Sequence, residues 1–61
     1  MIIETFRNEL DGLESRIYKR DDGKYSVSLF DTDVEQPVLM ARIYDELQPA
    51  RVYACRLAMA N

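Results

Sequence analysis

The sequence predicts a small α+β domain: an N-terminal helix, a three-stranded antiparallel sheet and a C-terminal helix, in the order αβββα. Three observations predict it. Apolar residues recur at helical spacing through residues 2–14, period-two alternation flanks Asp21-Asp22-Gly23, and an alanine-rich helical stripe follows Asp45. A chain of 61 residues holds a single domain, residues 1–61.

Ile2, Ile3, Phe6, Leu10 and Leu13 fall within an arc of roughly 100° on a helical wheel, and Gly12 is placed to end the helix. The alternative is a fourth strand, giving ββββα. Asp11-Gly12 between Leu10 and Leu13 is a two-residue hairpin signal, and Ile-Ile-Glu-Thr-Phe has strand composition. That hairpin would set Glu9 opposite Glu14 and Arg7 opposite Arg16, like-charge pairs that each cost roughly 0.2–1 kcal/mol. The helix is therefore preferred.

Residues 15–20 and 24–31 read as two strands joined by Asp21-Asp22-Gly23, a three-residue loop with glycine where the backbone needs positive φ. Its register opposes Ile17 to Val27 and puts Tyr25 and Leu29 on the same face. A polar connection, Thr32 to Pro37, leads to a third strand over Val38 to Asp45, with Leu39, Ala41 and Ile43 turned to the core. Asp45 begins the last helix, with capping-box spacing to Gln48 and Pro49 in the first turn. Leu47, Ala50, Tyr53, Ala54, Leu57 and Ala58 form its core stripe.

This order resembles the topology of double-stranded-RNA-binding domains, and its hairpin-strand-helix part resembles the DNA-reading sheets of phage-integrase arm domains and AP2 domains. The resemblance is one of pattern. The lysine pair that opens the final helix of the RNA-binding family is replaced here by Gln48, Pro49 and Ala50.

Composition narrows the function. The net charge of -3 opposes a protein whose whole surface grips nucleic acid or anionic lipid. There is no histidine, and no nucleophile motif surrounds Cys55 or any serine, so no enzymatic activity and no cofactor are expected. Asp31, Asp33 and Glu35 have the opening spacing of a calcium loop, but Gln36 and Arg42 stand where its glycine and final glutamate belong; a solvated turn is expected instead. No signal-peptide core or membrane span is visible, and the single unpaired cysteine suits a reducing, cytoplasmic setting.

Two surfaces stand out. On the predicted strands, Arg16, Tyr18, Arg20, Phe30, Arg42 and Tyr44 share the face away from the helices, where no acid falls. Three arginines among three aromatics could meet phosphates and bases or a protein partner. Val52, Cys55 and Met59 form a second apolar stripe on the last helix, displaced from its core face. Small domains bury little surface, so a helix apolar on two sides predicts a partner. The expected function is a non-catalytic, acidic protein-binding or self-assembling module, working as a homodimer, with nucleic-acid binding through the basic and aromatic face as the alternative.

Overall fold

A computed structural model of the protein describes residues 1–59. The elements in chain order are β1 (Ile2–Asn8), β2 (Leu13–Lys19), β3 (Tyr25–Asp31), β4 (Gln36–Pro37), β5 (Arg42–Tyr44) and α1 (Leu47–Met59). They form an antiparallel sheet with β1, β2 and β3 in sequence order. Both short strands lie on the far side of β3: β4 pairs with Phe30 and Asp31, β5 with Tyr25 to Val27. The helix covers one face of the sheet, so the fold is α+β as expected. No described helix is long and apolar enough to cross a membrane.

The central hairpin forms as its sequence predicts. Ile17 opposes Val27, the Arg20 N–H donates to the Lys24 carbonyl at 2.8 Å, and Gly23 has φ +85°. No side chain or backbone atom lies near the place of a Gly23 Cβ, so only backbone strain opposes substitution there. Gly23→Ala is expected to cost about 1 kcal/mol, read as a lower urea midpoint with an unchanged slope.

The core lies between this hairpin and α1. Ile17, Val27, Ala50 and Ala54 are at most 1% exposed, and Phe6, Tyr25, Tyr44, Leu47, Tyr53 and Leu57 close around them. The helix stripe is therefore the predicted one. Its small residues let the helix lie close to β2, where the buried Ser15 hydroxyl donates to the Ala54 carbonyl at 2.6 Å. The helix begins at Leu47, two residues after Asp45, whose carboxylate instead faces Lys24 Nζ at 3.4 Å.

The predicted N-terminal helix is absent, and the alternative with a fourth strand fits. The reason is loop length. β1 and β2 are joined by four residues, Glu9 to Gly12, with Asn8 opposite Leu13 and Gly12 at φ +66°. Relative to a two-residue loop the pairing slides by two residues, so Arg7 faces Glu14 and Thr5 faces Arg16. The like-charge pairs disappear and one becomes an ion pair. Tertiary contacts then hold the strand: Asn8 Nδ2 donates to the Ala58 carbonyl at 2.8 Å, and Arg51 Nε donates to Glu4 Oε2 at 2.7 Å. A bulge between Ile2 and Glu4 shifts the register near the start of β1.

The predicted third strand is corrected as well. The chain pairs briefly at Gln36–Pro37, where the next N–H, that of Val38, donates to the Leu29 carbonyl at 2.7 Å, leaves the ladder over residues 39–41, and returns at Arg42. Its parity is the reverse of the expected one. Ile43 opposes Ser26 on the face away from the helix, whereas Arg42 and Tyr44 oppose Val27 and Tyr25 on the helix side. Leu39 and Ile43 accordingly stay 47% and 43% exposed instead of joining the core.

Candidate interaction surfaces

The six residues expected to share one basic and aromatic face are divided between two. Arg16, Tyr18 and Phe30 occupy the face away from the helix, and Arg20 follows at the end of β2. Arg42 and Tyr44 sit on the helix side because of the reversed parity of β5. The face away from the helix is also not free of acid. Glu14 lies on it between Arg7 and Arg16, and Glu35, in a left-handed turn at φ +54°, is brought to Arg16 from the loop after β3.

These groups form a closed network. Arg16 Nε donates to Glu14 Oε2 at 2.6 Å, Arg16 Nη2 to Glu35 Oε1 at 2.9 Å, and Arg7 Nε to Glu14 Oε1 at 3.0 Å. The Arg16 guanidinium also lies 4.1 Å above the Phe30 ring, and its side chain is only 13% exposed. The hydrogen bond from Arg16, then that from Arg7, holds the Glu14 carboxyl below the usual carboxylate range against the opposing effect of burial. The same contact with Glu14, followed by that with Glu35, pushes the Arg16 pKa further up. Arg16 is thus committed to internal partners and its ring neighbour. Arg20 is held by Asp22 at 3.1 Å. Tyr18 and Arg20 border an open hollow of about 660 Å³, which also has Asp21 and Asp22 on its wall. Asp31 and Asp33 form the expected turn, with the Asp33 N–H donating to Asp31 Oδ1 at 2.9 Å.

The helix presents a different surface. Val52 and Met59 are 44% and 68% exposed, and Cys55 is an exposed free thiol, so the predicted stripe faces outward. Two hollows flank it and meet at Val52 and Arg56. One, about 530 Å³, lies toward β1 and is lined by Glu4, Phe6, Arg51 and Cys55 in addition. The other, about 380 Å³, lies toward β5 and adds Arg42, Tyr44, Pro49 and Tyr53. Here the Arg42 guanidinium sits 5.0 Å from the Tyr53 ring centre and 5.9 Å from that of Tyr44, and the two tyrosine rings are 5.8 Å apart in a tilted contact. Tyrosine and arginine around an apolar floor is the composition that carries binding energy at protein interfaces.

Phe6, Tyr53 and Arg56 were not among the expected site residues. Arg56 follows Val52 by one helical turn, a spacing visible in the sequence. Phe6 enters only because residues 2–8 are a strand, and Tyr53 serves both the core and the hollow. No protein-family model, curated protein or solved structure matches this chain.

Proposed function

We propose that the chain is a non-catalytic protein-binding module that acts as a homodimer through the outward face of α1. The observation that carries this reading is the second apolar side of the helix. One side is sealed against the sheet at Ala50, Ala54 and Ala58, while Val52, Cys55 and Met59 lie in the open, Val52 where the two hollows meet and Cys55 on the wall of one. Burying such a stripe gains about 25 cal/mol per Å² of apolar surface, a useful addition for a domain with so few sealed core residues.

Sedimentation equilibrium at micromolar concentration is expected to give twice the 7.1 kDa chain mass. Val52→Glu should give the single-chain mass with unchanged circular dichroism, because Val52 is already exposed in the single chain. A wild-type chain that stays at 7.1 kDa across that range defeats the reading.

A further inference from the structure

Resting on the dimer reading above, we propose that the hollow bearing Arg42 and Arg56 receives the acidic turn Glu9-Leu10-Asp11 of a second copy of this chain. Each copy gives one turn and receives one.

The argument starts from the cations. Arg7, Arg16, Arg20, Lys24 and Arg51 each have a carboxylate oxygen within 3.4 Å. Lys19 donates to the Tyr25 hydroxyl at 3.3 Å and lies over its ring. Among the described residues, Arg42 and Arg56 have no such carboxylate, and both line the same hollow, on whose wall no acid stands. In a protein with 11 acidic and 8 basic residues this is a local excess of positive charge. The rings under Arg42 hold its guanidinium in place, which favours planar, two-point recognition of a carboxylate.

The complementary feature is at the β1–β2 turn. Leu10 is 98% exposed and stands between Glu9 and Asp11. The turn is ordered before any partner arrives: Asn8 Nδ2 donates to Asp11 Oδ2 at 3.0 Å, and the Asp11 N–H donates to Asn8 Oδ1 at 3.3 Å. The Asp33 carboxylate borders Gly12, 3.6 Å from where a Cβ would be, adding negative charge to the same tip. An exposed leucine flanked by acids matches a hollow with an apolar floor at Val52 and Pro49 and arginines beside it.

Placement allows the exchange to close. The turn follows the end of β1 that pairs with Leu13, whose own partner is Asp31 at the far end of β3. β5 pairs at Tyr25 to Val27, the opposite end of β3. Arg42 and the turn thus lie toward opposite ends of β3 in a molecule measuring 32 × 20 × 17 Å, while Arg56 stands nearer the turn, two residues before Ala58, whose carbonyl meets Asn8. A two-fold axis that sets two copies antiparallel brings each tip toward the other's hollow, and the contact is satisfied in both directions at once.

Charge exchange tests this. Arg42→Glu/Arg56→Glu in one chain and Glu9→Arg/Asp11→Arg in another should each raise the dimer dissociation constant about a hundredfold, because each sets like charges against one another. Mixed in equal amounts, the two variants should recover the dimer mass in sedimentation equilibrium, since both contacts are again complementary. Leu10→Ser, which alters only an exposed side chain, should weaken association while leaving circular dichroism unchanged. Three results overturn the proposal: an arginine variant that dimerises like wild type, a mixture that stays monomeric though both chains fold, or a mass that grows beyond the dimer in an open head-to-tail chain. The first and third leave self-association standing; a monomeric wild type removes both readings together.

Discussion

Replacing Ile17 by alanine is expected to cost about 2–5 kcal/mol and to leave much of the protein unfolded at room temperature. Stability of roughly 0.05–0.15 kcal/mol per residue gives a domain of this length only about 3–9 kcal/mol in total. Ile17 is fully buried at the centre of β2 and belongs to the same core cluster as Val27, Ala50 and Ala54. The alanines that let the helix sit close to the sheet have no side chain to extend into the vacated space, so any filling must come from the larger residues around the core, Phe6, Leu47, Tyr53 and Leu57 among them. The control is Ile43→Ala. Ile43 is 43% exposed on the other face, and its loss should stay within about 0.5 kcal/mol. Urea unfolding of the two variants side by side decides the matter, and equal losses would mean that the third strand packs as its alternation first suggests.

That contrast marks where the sequence is legible. The central hairpin and the core stripe of the helix follow from short-range patterns: a glycine that must take positive φ, strict alternation around it, and alanines four residues apart. The strand over 38–45 is ambiguous in the sequence because both of its faces are apolar in part. Leu39, Ala41 and Ile43 compete with Met40 and Tyr44, so alternation does not say which set faces inward; Pro37, opposite Phe30, already faces away from the helix, and the two-residue slip before β5 keeps Ile43 on that same face. This one reversal split the expected basic face and moved Arg42 and Tyr44 to the helix side. The exposed stripe Val52, Cys55 and Met59 was legible because the helix was correctly placed. Its flanks were not, since Phe6 and Arg42 reach it from strands whose existence or parity depends on long-range pairing.

Reversing the charge of Glu14 should be nearly as damaging as opening the core, and it tests the register that turned residues 2–8 into a strand. The Glu14 side chain is 10% exposed and accepts from both Arg7 and Arg16. Glu14→Lys would set three cations together and leave Arg16 with Glu35 alone, a loss of about 3–5 kcal/mol by analogy with half-broken buried pairs. Glu14→Gln keeps the shape and removes the charge, with an expected loss of about 1–3 kcal/mol at neutral pH. The pH dependence gives the sharper result. A carboxyl whose folded pKa lies below its unfolded value stabilises the fold above the unfolded value of about 4.3 and loses that contribution as pH falls through the lowered folded one. The gap between wild type and Glu14→Gln in urea unfolding should therefore be full at pH 7, begin to shrink below about pH 4, and close as the wild-type carboxyl takes up its proton. Asp22, whose pKa is lowered chiefly by the Lys24 N–H, titrates in the same way in both chains and cancels from the comparison. A gap that is the same at pH 7 and pH 3 would show that Glu14 contributes by packing alone, and the ion pair across β1 and β2 would no longer account for the four-residue turn winning over the helix.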